Sequence, residues 1–191
     1  MKSLVLLFLL FLVIPTFAQE ENPYKNLSMS ESENEFQSLA DIGVGIGLNY
    51  GGFMGFQLQY IPLKHLSIIG SAGYYLVGFG WQLGINGYLM PKVPSKSFRV
   101  YGTAMYGTNA AIVVENYDKY NKIYMGPTVG MGFEIRFGKS KRNGLNCDLL
   151  FPIRSSEFQD DMTTIKNDPF ITDITEPLPF TIAIGYHFEI R

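Results

Sequence analysis

Beyond residue 40, apolar side chains recur at every second position, with glycine or polar residues between them. The first segment with this pattern carries Ile42, Val44, Ile46, Leu48 and Tyr50. Successive side chains of a β-strand point to opposite faces, so a period of two predicts a strand with one apolar face. No long stretch holds an apolar period of 3.6 residues, and we therefore expect no long helix in this part of the chain.

The same alternation predicts eight strands, near residues 42–50, 54–60, 66–74, 81–89, 98–106, 128–137, 145–151 and 180–190. Closing them into an antiparallel up-and-down barrel would pair every backbone group and leave no free sheet edge. The predicted fold class is therefore all-β, an eight-stranded antiparallel barrel. A ten-stranded variant that uses residues 110–115 as an extra strand stays open.

The connections point to a transmembrane barrel. The second, fourth and sixth are short, whereas the fifth (109–122) and the seventh (153–178) are long. Outer-membrane barrels alternate short periplasmic turns with longer outside loops and, in bacteria, have an even strand count. With both chain ends on the periplasmic side, every long loop lies outside the cell.

An exported soluble barrel of lipocalin type, with an apolar ligand in its lumen, is the first alternative. It needs the large apolar side chains inside, which reverses the facing of every strand. The glycine-rich faces of the first and sixth strands oppose it, because they would offer water little polar surface.

The amino terminus predicts export. Lys2 precedes an apolar run from Leu4 to Ile14, which ends before a small-residue site at Ala18. This order is typical of a secretory signal peptide, and the run is well short of the ~20 residues of a membrane-spanning helix. We expect a signal peptide over 1–18, a mobile polar leader over 19–40, and a barrel over 41–191 located in the outer membrane.

Over about residues 41–191, the chain resembles the small outer-membrane barrels of the OmpA/OmpX type, particularly the single-domain barrel proteins of the Bacteroidota. The resemblance rests on the signal peptide, the strand-turn segment from Gln59 to Tyr74, and the amphipathic last strand from Phe180 to Arg191. The resemblance implies outer-membrane lipid and lipopolysaccharide as surroundings and the barrel-assembly machinery as a partner. That machinery usually reads a terminal aromatic residue, whereas this chain ends on Arg191. We expect no peptidoglycan-binding domain after the barrel, so the cell-wall tether of two-domain relatives is not part of what the resemblance implies.

Composition and charge narrow the function classes. A formal net charge of -2 over 191 residues does not mark a nucleic-acid binder. Charged residues make up only 17% of the chain, below the usual quarter of a soluble domain. The single cysteine, Cys147, excludes an internal disulfide and a four-cysteine zinc site. No pattern indicates a cofactor.

Six ionisable residues lie on inward positions of the last four predicted strands, near the periplasmic end. Charges in a narrow lumen must be paired or hydrated, so we expect a salt-bridge network that plugs the lower lumen. Counting from the sixth turn places Glu134 opposite Asp148 and requires an arginine between them. The predicted network comprises Arg99, Glu134, Arg136, Asp148, His187 and Glu189.

Nine aromatic residues fall near the ends of the predicted strands, on the apolar face. Membrane barrels carry aromatic girdles at both interfaces, and these positions match them. The predicted girdle comprises Tyr50, Tyr60, Tyr74, Trp81, Phe98, Tyr106, Phe137, Phe151 and Phe188.

Catalytic and metal sites are weakly supported. His65 and Ser67 have the H-x-S spacing of a family of outer-membrane lipid A deacylases, but no acid lies near them to orient the base. His187 and Glu189 are two potential metal ligands without a third. We therefore expect no catalytic residues and no metal site.

The two long loops carry eight acidic and four basic residues. They are the candidate contact surface for an extracellular partner, at 109–122 and 153–178. The sequence thus favours a structural or surface-interaction barrel whose lumen is closed. An outer-membrane lipid-modifying enzyme and a narrow channel remain alternatives.

Overall fold

The computed structural model describes residues 39–75, 77–91, 97–114, 121–168 and 177–190. The predicted signal peptide and nearly all of the predicted leader lie outside these residues. The strands are β1 (Leu39–Gly47), β2 (Gly52–Leu63), β3 (Leu66–Tyr74), β4 (Phe79–Tyr88), β5 (Phe98–Ile112), β6 (Lys122–Phe137), β7 (Asn143–Pro152) and β8 (Thr181–Ile190). A 3₁₀ helix covers Leu48–Tyr50, and one α-helix, α1, covers Ser156–Lys166.

Each strand pairs antiparallel with its sequence neighbour, and β1 pairs with β8 to close the barrel. The predicted eight-stranded antiparallel up-and-down barrel is confirmed. We call the end with the β2–β3, β4–β5 and β6–β7 turns the lower end and the opposite end the upper end. Residues 110–112 continue β5 instead of forming an extra strand, so the described chain has no ten-stranded arrangement.

The strand faces follow the alternation in the sequence. Large apolar side chains point outward and are exposed, for example Phe56 at 66% and Ile182 at 58%. Polar and charged side chains point into the lumen and are buried, with Arg99 at 2% and Asp148 at 1%. Among the described strand residues, Lys122, the first residue of β6, is the one exposed charge. The barrel is thus apolar outside and polar inside.

Several strand limits differ from the prediction. Leu39 and Ala40, assigned to the leader, are paired with Ile61 and Tyr60 at the start of β1. The strands β5 and β6 run well beyond the expected ends and take up part of the predicted 109–122 loop. The register shifts between Thr108 and Ala110, and this irregularity interrupts the period-two pattern that would have indicated a longer strand.

The α1 helix was not predicted and lies inside the expected 153–178 loop. Ser155 is its N-cap, with Oγ accepting from the Phe158 backbone N–H. Its buried face consists of Phe158, Met162 and Ile165, at the i, i+4, i+7 spacing of a helix. Only three apolar positions among many polar ones made this period hard to distinguish from a loop.

None of the helices in the described residues is long and apolar enough to cross a membrane.

Candidate functional site in the barrel interior

The connection between β1 and β2 folds into the lumen instead of away from it. Its three central residues, Leu48, Asn49 and Tyr50, are all buried, and Tyr50 is 0% exposed. Gly51 ends this inward turn in the left-handed conformation and donates its N–H to the Leu48 carbonyl at 3.0 Å. Tyr50 was predicted to join the outer aromatic girdle, and that prediction is wrong, because the strand alternation stops at Gly47.

Glycines on the inner wall make room for the inward turn. A Cβ built on Gly45 or Gly185 would overlap the Tyr50 ring, and one on Gly55 would overlap the Tyr50 carbonyl. A Cβ on Gly73 would likewise overlap the Tyr50 carbonyl, and one on Gly80 would overlap the Gly51 carbonyl. We call Gly45, Gly55, Gly73, Gly80 and Gly185 the glycine cradle. The glycine-rich face of the first strand noted in the sequence thus supplies part of this space, and glycines of β2, β3, β4 and β8 supply the rest.

Above the polar lumen, the inward turn completes an apolar layer. Leu48 and Tyr50 form a cluster with Met105, Leu150 and Ala183, which are buried on three different strands. Such a cluster fits a barrel of eight strands, whose interior is narrow enough for side chains to fill.

Asp148 is the centre of a buried polar cluster directly below this layer. Its carboxylate accepts from Tyr101 Oη at 2.5 Å, from Asn146 Nδ2 at 2.8 Å and from Asn49 Nδ2 at 2.9 Å. Three hydrogen bonds offset much of the cost of burying the charge. Asn49 therefore links the inward turn to β7.

Tyr50 makes the second link between the turn and the wall. Its Oη donates to Asn146 Oδ1 at 2.6 Å and lies 2.7 Å from His187 Nε2. Because a hydroxyl carries one hydrogen, this pair of bonds requires a proton on His187 Nε2. The turn is thus held by β7 and β8 together.

An ion-pair network occupies the lower lumen. Glu134 is paired with both Arg99 and Arg136, one through each carboxylate oxygen. Arg136 also pairs with Asp41 at 2.5 Å, and Nη1 donates to the Arg142 carbonyl at 3.0 Å. The Arg99 guanidinium lies 4.3 Å from the centroid of the Tyr88 ring. A chain of charges therefore runs from β5 through β6 to β1.

The six predicted lumen residues are all buried, and the structure places five of them in the two clusters. Arg99, Glu134 and Arg136 lie in the lower network, whereas Asp148 and His187 belong to the upper polar cluster. Glu189 is buried at 2% and lies opposite Asp41 in the β1–β8 ladder.

The expected opposition of Glu134 and Asp148 is wrong by two residues. Glu134 pairs with Asn146, while Asp148 lies opposite Gly132. The β6–β7 connection has five residues between the paired Phe137 and Asn143, and this loop length sets the register that places Glu134 opposite Asn146.

Sequence reasoning missed five residues of the interior: Asp41, Asn49, Tyr50, Tyr101 and Asn146. Asp41, Tyr101 and Asn146 could have been found, because each alternates with the outward residues of its strand. Asn49 and Tyr50 carried no such signal, since they lie in a turn.

The remaining predicted girdle residues lie on the outer face. Trp81 is half-buried, and the other seven are exposed. These seven are Tyr60, Tyr74, Phe98, Tyr106, Phe137, Phe151 and Phe188.

The structure does not bring the candidate catalytic residues His65 and Ser67 into hydrogen-bonding contact. Ser67 is buried in the lumen and accepts from Gln59 Nε2 at 2.7 Å, whereas the exposed His65 ring is bonded through Nδ1 to the Tyr88 carbonyl. No His65–Ser67 hydrogen bond forms between these two described residues. Among the residues that the structure describes, no group of three His, Cys, Asp or Glu could hold a metal ion. Cys147 is a half-buried free thiol.

At the upper end, α1 packs against the extensions of β5 and β6. Phe158, Met162 and Ile165 form a cluster with Ala110, Ile112 and Tyr124. Asp161 accepts from Lys122 Nζ at 2.8 Å and from Tyr124 Oη at 2.7 Å, and both bonds lower the pKa of its carboxyl. Lys122 also contacts Glu157 at 2.8 Å. A helix and two strands thus form a small ordered platform where loops were expected.

Comparison with known proteins found no matching protein-family model, no matching curated protein and no matching solved structure. The functional conclusions therefore depend on the geometry of this chain.

Proposed function

We propose that this chain is an outer-membrane β-barrel with a structural or surface-interaction role and no catalytic one. One observation carries the proposal: the outer face of the barrel is apolar, and the strand charges point inside, Lys122 excepted. Soluble proteins rarely expose contiguous apolar patches larger than a few hundred Å². Here the apolar face continues from strand to strand around the barrel, which lipid would solvate and water would not.

The dimensions support the same proposal. The outward residues of β8 run from Ile182 to Ile190, a length of about 27 Å along the strand. With a tilt of about 40°, this length gives a height of about 21 Å. Membrane barrels carry an apolar band of about 25 Å.

The closed sheet favours a membrane as well. Lipid offers no hydrogen bonds, so a sheet can span it only when all its edges are paired, as in this barrel. The soluble lipocalin-like alternative is disfavoured, since its apolar ligand would meet charged and amide side chains in the lumen.

The filled interior favours a passive role over conduction. The apolar layer around Tyr50, the Asp148 cluster and the Arg136 network occupy successive levels of the lumen. We therefore expect the β5–β6 and β7–β8 connections to contact any partner outside the cell.

Fractionation combined with gel mobility tests the proposal. The full chain is expressed in a Gram-negative host, outer membranes are isolated, and boiled and unboiled samples are compared by electrophoresis. We expect a band in the outer-membrane fraction whose mobility changes on boiling, because a closed barrel resists the detergent until heated. Recovery as a soluble periplasmic protein without a mobility shift would contradict the membrane assignment.

A further inference from the structure

A pocket with a volume of about 400 Å³ lies in the mouth of the barrel at the upper end. Its wall includes Tyr75 after β3, Asn109 in β5, Arg154 after β7, and Leu178 and Thr181 at the start of β8. Tyr75 also packs against the apolar layer around Tyr50, so that layer lies beneath the pocket. The volume falls within the range of small-molecule sites.

Arg154 gives the pocket a positive charge that no carboxylate of the described residues neutralises. Its guanidinium lies 5.5 Å from the Phe158 ring centroid and donates to the Leu178 carbonyl, and no carboxylate pairs with it among the described residues. Burial lowers the pKa of the Arg154 guanidinium, yet an arginine stays protonated in proteins. A partly desolvated cation of this kind favours an anionic ligand.

Three polar atoms in the same wall are buried without a hydrogen-bond partner in the described chain: Arg154 Nε, Thr181 Oγ1 and Asn109 Oδ1. Asn109 is only 1% exposed, and its Nδ2 donates to the Ile153 carbonyl at 2.9 Å, which orients Oδ1 as a free acceptor. Buried polar groups are normally paired, so this concentration points to a polar ligand. Arginine and threonine suit an anion, whereas the asparagine oxygen suits a hydroxyl.

We propose that the pocket binds an anionic saccharide, either a sugar acid or a sugar phosphate. The anionic group is held by Arg154 and Thr181, and a neighbouring hydroxyl donates to Asn109. The apolar wall at Leu178 and Ala110 contacts the C–H face of the sugar ring. This site goes beyond the proposed function, because it depends on the barrel mouth and not on the surrounding membrane.

Calorimetric titration tests the proposal on the full chain folded in dodecyl maltoside micelles. The probes are glucuronate, glucose 6-phosphate, neutral glucose and inorganic phosphate. We expect both anionic sugars to bind, and glucose and inorganic phosphate to bind at least tenfold more weakly. A polymer of glucuronate tests whether the sugar can also be the end of a longer glycan.

Arg142 offers a matched control for Arg154. Its guanidinium likewise lies over a phenylalanine ring, 4.8 Å from the Phe188 centroid, and donates to the Glu189 carbonyl at 3.1 Å, but it is at the lower end. Arg154→Gln should weaken binding of both anionic sugars at least tenfold, and Arg142→Gln by less than twofold. Thr181→Val should weaken binding severalfold, while Thr181→Ser retains it.

Three results would overturn the proposal. The site would be removed if no anionic sugar bound. It would also be removed if the Arg154→Gln and Thr181→Val variants bound these sugars as tightly as the wild type does. Inorganic phosphate binding as tightly as glucose 6-phosphate would reduce it to an anion site and exclude the saccharide. A mobility shift on boiling, measured on each sample, shows that the barrel itself is folded and separates these failures from a failure of the proposed function.

Discussion

Tyr50 can lie inside the barrel because the glycines around it have no side chains. Each cradle glycine leaves the volume that a Cβ would occupy, and the Tyr50 ring or backbone takes that volume. Tyr50 Oη then reaches Asn146 and His187, so a single side chain joins the inward turn to both β7 and β8. Close packing of this kind tolerates little added volume.

Gly185→Ala should therefore destabilise the barrel or expel the inward turn. The added methyl group would overlap the Tyr50 hydroxyl, and overpacking of a filled interior typically costs about 1–3 kcal/mol. The free energy of unfolding, measured by urea titration of the refolded protein, checks this expectation.

Gly87→Ala is the control for this substitution. Gly87 lies on the outer face of β4, and a Cβ there would meet nothing within 4 Å. We expect its unfolding free energy to stay within about 0.5 kcal/mol of the wild type, as for ordinary surface changes. Removing the ring by Tyr50→Ala in the Gly185→Ala background should give a loss smaller than the sum of the two single losses. Equal effects of the two glycine substitutions would contradict the cradle.

At the scale of elements, α1 is stable because of what it packs against. A helix of 11 residues is marginal in isolation. Phe158, Met162 and Ile165 bury their side chains on the β5–β6 extension, and Asp161 adds two polar contacts at the same surface. The platform is therefore a tertiary feature of two connections that each look like a loop.

Docking of α1 should weaken in acid. The pKa of Asp161 is lowered in the folded protein, so its contribution is complete above the unfolded pKa of about 3.9 and is lost as the pH falls through the lower, folded value. We expect the amide protection factors of α1 in hydrogen exchange, corrected for intrinsic rates, to be higher at pH 6 than at pH 2.5.

The Asp161→Asn substitution should lower the amide protection factors of α1 at pH 6. It should also reduce the difference between the protection factors at pH 6 and pH 2.5. Asp160→Asn is the matched control, because Asp160 is exposed on the same helix and makes no ion pair among the described residues. Equal loss of protection in the two variants would show that the Lys122 and Tyr124 contacts do not hold the helix.

At the scale of the whole molecule, the barrel reverses the arrangement of a soluble protein. Charges that water would solvate are gathered into the lumen, where Glu134 is shared by two arginines and Asp148 accepts three hydrogen bonds. The outer face keeps the large apolar residues. The medium around the barrel therefore decides whether this structure is stable.

The Ile184→Arg substitution tests whether lipid or water surrounds the barrel. Ile184 is an exposed outward residue near the middle of β8, opposite Ile46 and Cys147. An arginine at the midplane of a lipid-facing strand costs about 2–4 kcal/mol, whereas on a water-exposed face it would cost almost nothing. Unfolding by urea from lipid vesicles measures the difference.

Leu89→Arg provides the comparison, since Leu89 is 74% exposed just beyond the lower end of β4. Near an interface, the same charge should cost about 0–1 kcal/mol. Equal stability of the Ile184→Arg and Leu89→Arg variants would contradict a bilayer around the outer face.

Much of the fold and part of the interior could be predicted from the sequence. The period of two is a local property, and it sufficed for the eight strands, their outward faces, and the inward placement of residues such as Arg99 and Glu134. Where the local pattern was interrupted, prediction failed: the bulge near Thr108 hid the upper part of β5, and the short apolar face of α1 was read as loop.

Within the strands, the sequence by itself determined which residues face in and which face out, because alternation depends only on the geometry of an extended chain. Only the tertiary structure decided which inward residues meet. Asn49 bonds to Asp148 across 99 positions, and the register that places Asn146 and not Asp148 opposite Glu134 comes from the closure of the β6–β7 turn. The inward turn, its glycine cradle and the mouth pocket exist because the closed barrel brings distant strands within reach of one another, and no local pattern records that distance.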